Sequence, residues 1–201
     1  MKKKGRIRES RLGGTRQLCE ALAKLERPPS VLVSASAIGY YGDRGTEPLT
    51  EDSPPGAGFL ADVCHGWEAA TDPAADAGIR VVNLRLGMVL SGDGGALAKM
   101  LLPFRMGFGG IVGSGKQFWS WVAIEDVIGV IQHALSTEWV RRPMNVVSPN
   151  AVTNREFTKT LGRVLGRPTI FPMPAVVARV VFSEMAEALL LCSARVQSIR
   201  L

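Results

Sequence analysis

The sequence predicts an α/β fold in which a parallel sheet is covered by helices. Three observations carry this. Two short apolar runs, beginning at Val31 and at Ile79, read as strands, and the second is apolar enough to be buried on both faces. Segments with helical spacing alternate with those runs. The connections are short, and helix, strand, helix, strand in that order argues for parallel pairing. With 201 residues, 46% of them hydrophobic, the chain is long enough for one compact unit with a small C-terminal extension.

Leu18, Leu22 and Leu25 recur at helical spacing after Thr15, and Arg27-Pro28-Pro29 ends that helix. Val31 to Val33 then begins a buried strand, and the stretch through Asp43 opens into a ligand-facing loop. Gly42 to Gly58 is rich in Gly, Pro, Asp, Glu and Thr, which predicts a long surface loop. Phe59, Val63, Trp67 and Ala70 mark a second helix, closed before Ile79. Ile79 to Leu90 is the second strand. Ligands in open parallel sheets bind beyond the carboxyl ends of the strands, which points to Ser34–Tyr41 and Leu86–Gly95. A Gly-rich stretch, Gly107 to Gly115, leads to QFWSWVAIEDV and a helix with Val127, Ile128, Ile131 and Leu135 on its apolar side. After the short strand MNVVS, Thr153 and Glu156 have the spacing of a capping box before Phe157, Leu161 and Val164. From Pro172 onward the tail reads as helical.

Composition excludes several classes of function. Cys19, Cys64 and Cys192 are far apart with no C-x-x-C pair, so no disulfide framework, zinc site or other metal site is expected, and a reducing cytoplasm fits. The net charge of +6 is dispersed apart from Lys2–Lys4 and Arg141-Arg142, and no aromatic stacking face or recognition motif accompanies it, so nucleic acid is not an expected partner. No apolar run reaches the roughly 18 to 20 residues of a membrane span, and the longest candidate, Pro174 to Phe182, is interrupted by Arg179. The basic start lacks the apolar segment of an export signal. Gly110 to Gln117 nearly matches a phosphate-binding G-x-x-x-x-G-K-[ST] loop, but Gln117 lacks the hydroxyl that helps hold Mg²⁺.

Ser34, Ser36, Tyr40 and Tyr41 cluster where the first strand ends. Hydroxyls there can bond a substrate carbonyl, a sugar or a nicotinamide ribose; the alternative is a hydroxyl-rich turn. Arg85, inside an apolar strand, needs either a structural ion pair or a place facing the ligand crevice. Gly92, Gly94 and Gly95 either let the backbone approach a ligand or form a plain turn. Trp119 and Trp121 share a face if they belong to one strand, where they line a substrate pocket or fill core. Cys64 and His65 are adjacent, but successive helix residues point about 100° apart, which does not make a nucleophilic pair. His133 reads as a helix-surface or core histidine.

The string SASAIGYYGD resembles the strand-end motif of the extended short-chain dehydrogenases. SASAIGYYGDRG, EDSPPGAGFLADVCHGWEAA, RLGMVLSGDGGAL, LLPFRMGFGG and GSGKQFWSW, in that order, resemble the atypical epimerase-like branch of that superfamily, which carries a small C-terminal domain of unknown function. The resemblance implies a Rossmann-like, doubly wound parallel sheet over residues 1–148 and a mostly helical substrate-side extension over 149–201. It implies NAD or NADP as cofactor and a small-molecule substrate. Ser36 matches the serine that orients the substrate hydroxyl, with Tyr40 and Tyr41 as catalytic neighbours. Ser34, Ala35, Arg85, Gly87 and Val89 fall on the cofactor side, and Trp119 and Trp121 on the substrate side.

Departures from the pattern temper these implications. The Tyr-x-x-x-Lys acid-base pair of extended dehydrogenases is replaced by Leu60 and Cys64, so Tyr40 or Tyr41 would have to serve as proton donor. The family's usual His stands as Ala123 and a following Asp as Glu125, while Asp126 is retained. No Gly-rich cofactor loop precedes Val31, and the first residues resemble the helix before the family's fourth strand, so roughly the first three strands are expected to be missing. Two readings follow: an NAD(P)-dependent epimerase/dehydratase-like oxidoreductase, or a non-catalytic remnant or binding module of the same fold. Either leaves an exposed sheet edge that favours self-association.

Overall fold

The structure, a computed structural model, describes residues 2–176 and 190–201. Helix α1 (Lys2–Leu22) precedes strand β1 (Val31–Ala37), which runs into a 3-10 turn over Ile38–Tyr41. Strand β2 (Pro48–Leu49), helices α2 (Phe59–Ala69) and α3 (Asp72–Asp76), and strands β3 (Arg80–Leu86) and β4 (Met88–Leu90) follow. Then come α4 (Gly95–Arg105), β5 (Phe118–Trp119), β6 (Trp121–Ala123), α5 (Ile124–Ser136), β7 (Met144–Val146), β8 (Val152–Thr153), α6 (Asn154–Leu165) and β9 (Arg195–Val196).

The main sheet has the order β1-β3-β7 and is parallel throughout, with Val31 opposite Arg80 at one end and Ala37 opposite Leu86 at the other. As the apolar run predicted, β3 is central and covered on both faces. Val82 and Leu84 join Val33, Val122, Val127, Ala134 and Val146 beneath α5. Val81 and Leu32 pack on the opposite side against Cys19, Leu22, Ala74 and Ile79, which belong to α1, α3 and the approach to β3. Each fully buried aliphatic side chain in these layers contributes about 1.5–3 kcal/mol of transfer free energy. The α/β, Rossmann-like class read from the sequence is the one observed.

Three elements differ from expectation. Helix α1 starts far ahead of Thr15, and its inward stripe is not the predicted leucine row. Cys19 is fully buried, whereas Leu18 and Leu25 remain about half exposed at 53% and 50%. The helix rests on other helices rather than on the sheet alone: Trp67 Nε1 donates to Thr15 Oγ1 at 2.9 Å, and Arg11 lies over the Trp67 ring. Residues 12, 15, 19 and 22 therefore set its orientation.

The second strand is broken at Gly87, where β3 ends and β4 turns away to pair with β6. A Cβ at Gly87 would stand 2.9 Å from the Ser120 carbonyl oxygen and 3.0 Å from Val147 Cγ1, so the close approach of three backbones requires glycine. Ser120 breaks QFWSW in the same way. Strand β5 pairs antiparallel with β8 and β6 parallel with β4, while Ser120 Oγ donates to the Ala194 carbonyl and accepts from Val196 N. Trp119 and Trp121 thus lie on two different strands.

The tail is the third difference. Residues 177–189, which include the middle of the predicted tail helix and much of the Pro174–Phe182 run, lie outside the described residues. The end is extended rather than helical: β9 pairs parallel with β2, because buried polar groups at Glu51, Ser120 and Asn145 take up its backbone groups and side chains. The capping box forms as predicted, with Glu156 N donating to Thr153 Oγ1 and Thr153 N to Glu156 Oε2. Among the described residues no helix is long and apolar enough to cross a membrane.

Candidate functional site

Parallel pairing in register brings Ser36 beside Arg85 at the carboxyl ends of β1 and β3. The 3-10 turn then folds Tyr40 and Tyr41 over them, with the Arg85 guanidinium 3.5 Å from the Tyr40 ring centroid and 5.3 Å from that of Tyr41. Arg85 makes a forked pair with Glu68 of α2, both contacts at 2.8 Å, and Ser36 Oγ donates to the same carboxylate at 2.7 Å. Arg85 Nη1 donates to Tyr41 OH at 2.9 Å, and Tyr41 OH donates to Asn145 Oδ1 of β7 at 2.7 Å.

The network continues outward. Asn145 N donates to Glu51 Oε1, and Glu51 also accepts from Ser198 Oγ and from the backbone N–H of Ile199. Asn145 Nδ2 donates to the Gln197 carbonyl. One chain of bonds therefore links α2, β3, the turn after β1, β7 and the C-terminal segment. Ser36, Tyr41, Arg85, Glu51 and Asn145 are all buried. Buried polar groups of this kind stabilise only when fully paired, and here they are.

Electrostatics follow from that pairing. Burial works against the charge on Arg85, but its hydrogen bonds and proximity to Glu68 outweigh burial, so the guanidinium is held charged more firmly than usual. The Tyr41 hydroxyl is raised by burial, which the neighbouring Arg85 only partly offsets. Burial, reinforced by the Glu68 charge, pushes the Cys64 thiol up to about 11. Cys64 is therefore a neutral thiol at physiological pH, and no Cys-His nucleophile forms with His65.

Of the residues singled out in the sequence, Ser36, Tyr40, Tyr41 and Arg85 come together. Leu60 and Cys64 do face the end of β1: a Cβ on Gly39 would meet Leu60 Cβ at 3.4 Å and Cys64 Sγ at 3.6 Å. The side of the β1 end that meets α2 is thus lined by Leu60 and Cys64. Ser34 pairs in register with Asn83, Ala35 is exposed on β1, and Val89 packs against the main core. Trp119 packs on Phe157 with ring centroids 5.2 Å apart, and Trp121 pairs with Met88. Gly110–Gln117 turns directly into β5, and with no helix start there it is not a phosphate loop.

Glu68, Glu51 and Asn145 escaped sequence reading. A signal existed for Glu68, since it follows Leu60 and Cys64 at successive four-residue steps on the same face of α2, and a charge in an apolar strand demands a partner. Glu51 and Asn145 are joined only across long sequence separations.

A dinucleotide does not fit fully to these residues. The turn after β1 is filled by two buried tyrosines, and β3 passes straight into β4. The turn after β4 enters α4 through glycines but carries an acidic Asp93, unfavourable beside a pyrophosphate. The polar ends of β1 and β3 suit only the nicotinamide side.

The model of the NAD dependent epimerase/dehydratase family matches residues 1–159. The chain belongs to that family. An epimerase family protein of Mycobacterium bovis is 41% identical over 189 residues, covering 94% of this chain and 62% of that protein. The epimerase family protein SDR39U1 of Bos taurus is 41% identical over 187 residues, covering 92% and 63%. This epimerase/dehydratase family chain thus spans about 62% of the length of the curated relatives it matches. Among solved structures, the human epimerase family protein SDR39U1 (isoform 2) with NADPH superposes with a TM-score of 0.94 at 37% identity, over 100% of this chain and 68% of that one. The nucleoside-diphosphate sugar epimerase of Corynebacterium glutamicum gives 0.74 at 37% identity, over 94% and 44%.

Proposed function

We propose that this chain is the substrate-side half of an NAD(P)-linked oxidoreductase of the epimerase/dehydratase type. Its substrate would be a small molecule bearing a hydroxyl or carbonyl. The observation that carries this reading is superposition along its whole length on a relative solved with NADPH. The sheet supports it, because the carboxyl ends of β1 and β3 lie side by side where open parallel sheets bind ligands. Such a cofactor supplies hydride transfer when bound.

The chain's own residues divide the remaining work unequally. Tyr41 is held between Arg85 and Asn145, so its hydroxyl is committed to the fold. Tyr40 stacks on Arg85 and its hydroxyl makes no hydrogen bond to any described residue, which leaves that hydroxyl as the available proton donor. Ser36, donating to Glu68, can still accept a bond from a substrate hydroxyl. The free thiols of the three cysteines suit a reducing cytoplasm.

A specific observation favours a second reading, that of a non-catalytic module. Ser36 and Tyr41 are spent on an internal network, and Leu60 and Cys64 stand where acid-base groups would act. Titrating NADPH and NADH against the purified chain separates the two. The enzyme reading expects a saturable rise in melting temperature, because a ligand bound only by the folded state stabilises it. No rise at millimolar cofactor leaves only the module. If the cofactor binds, Tyr40→Phe should abolish NADPH oxidation with a panel of small carbonyl compounds and Tyr41→Phe should retain it.

A further inference from the structure

The second half of the chain carries all of its net charge. Residues 95–201 hold 12 Lys and Arg against 6 Asp and Glu, which accounts for the whole +6. Between Asp93 and Glu125 there is no acidic residue. From Asn154 to Val176 Glu156 is the only one, and its carboxylate is taken by the capping box of α6. Lys99, Arg105, Arg163 and Arg167 in these stretches are exposed, and none forms a salt bridge with a described residue.

The surface between those cations is apolar. Helix α4 turns Phe104 inward, while Leu102 and Met106, one turn apart, point outward with Lys99 on one side of them and Arg105 on the other. Just beyond the helix stands Phe108, and the loop after α6 brings Ile170 and Phe171 up to it, the two phenyl rings 6.3 Å apart. Leu102, Met106, Phe108, Ile170 and Phe171 are all between 54% and 69% exposed. The two loops are locked together: Met173 N donates to the Ile111 carbonyl at 2.8 Å, Gly113 N to the Met173 carbonyl at 2.9 Å, and a Cβ at Gly110 would strike the Phe171 carbonyl. Five large side chains so exposed leave roughly 500 Å² of apolar surface, a size that marks an interaction site when polar groups rim it. All of it belongs to segments that follow the break at Gly87, and none comes from α1 or β1.

We propose that this face docks on the surface of an anionic lipid bilayer, with Phe108 and Phe171 entering the headgroup region and the four cations meeting lipid phosphates. Charge selects the partner. A second copy of the chain would set cation against cation across the contact, whereas an anionic leaflet neutralises the rim while its acyl boundary receives the apolar centre. Shape agrees, because the aromatic pair stands at two loop tips, and a bilayer yields to protruding side chains without needing a matching pocket. The contact is peripheral, since no described helix is long and apolar enough to cross.

Flotation of the chain with vesicles of phosphatidylcholine, alone or mixed with a third of phosphatidylglycerol, tests this. Binding is expected only to the anionic vesicles and should fall steeply as salt is raised. Phe108→Ser with Phe171→Ser, both at exposed positions, should weaken it at least about tenfold with the circular dichroism and melting temperature unchanged. Arg105→Gln should weaken it about fivefold, and it reads the same face should the double variant fail to fold. Absence of binding to anionic vesicles at low salt, or equal binding to neutral ones, would overturn the proposal. So would binding that the double variant retains in full, which would place the contact elsewhere, as at Lys2–Lys4. Poly-aspartate and a sedimentation series without lipid complete the test. If the double variant abolishes binding of poly-aspartate while vesicles never bind, the face belongs to an acidic protein; if it abolishes self-association instead, the face belongs to a second copy.

Discussion

Arg85 shows how much one residue in a sequence can announce. A cation within an apolar strand must find an anion, face a polar crevice or pay for desolvation, and that rule pointed to an ion pair or to the ligand crevice before either was visible. Its identity required three dimensions, because Glu68 sits on a helix 17 residues away. Tyr41 and Ser36 are legible as a cluster at a strand end, but their commitment to Glu68 and Asn145 is not, since it depends on the β7 register. Glu68→Ala would leave Arg85 buried without its charge partner and free the Ser36 hydroxyl. The expected loss is about 3–5 kcal/mol, read as a lower urea midpoint. A shift below about 1 kcal/mol would mean that solvent already screens the pair.

The thiols give a second test at this scale. Cys64 and Cys192 are both raised to about 11 from an ordinary 9.0, chiefly by burial, and Cys19 is raised as well. The fold disfavours the thiolate, so stability is unaffected below about pH 9 and falls as pH rises from there through about 11. Urea midpoints measured between pH 8 and pH 11 should decline over that interval. Ellman's reagent at pH 8 should react slowly with the native chain and rapidly after unfolding.

Among elements, the legible ones are those whose signal is local. The capping box of α6 needs only Thr153 and Glu156, and α2 declares itself by its apolar spacing. The breaks at Gly87 and Ser120 were missed because each depends on a distant chain pressing close. An apolar run alone does not say where a strand leaves one sheet for another. Helix α1 misled for a related reason: Leu18 and Leu25 of its leucine row lie on a face that the described layers do not cover, while the inward stripe contains Thr15, Cys19 and Leu22. Gly87→Ala tests the break directly, since the added methyl would meet the Ser120 carbonyl at 2.9 Å. A loss of about 1–3 kcal/mol is expected from this overpacking, with amide exchange in β4 and β6 quickening more than in β1.

On the scale of the molecule, the α/β class was readable because alternation and connection length determine it. What composition and spacing did not reveal is how extensively the C-terminal extension is hydrogen-bonded to the sheet. Residues 193–199 bond to the loop after β1, to Glu51, to Ser120 and to Asn145, in one continuous polar network.

That closure also bears on how the molecule is made. Ser198 follows Glu51 by 147 positions, yet the carboxylate of Glu51 is satisfied partly by Ser198 and Ile199. A ribosome adding about 5–20 residues per second leaves Glu51 waiting roughly 7–30 s for these partners. During that interval β1 and β3 can pair while Glu51 and Asn145 still face water. The nascent chain is therefore expected to pass through a state with its sheet formed and its β7 border open. Pulse proteolysis of stalled chains should find the Gly42–Gly58 loop cleavable until the tail emerges.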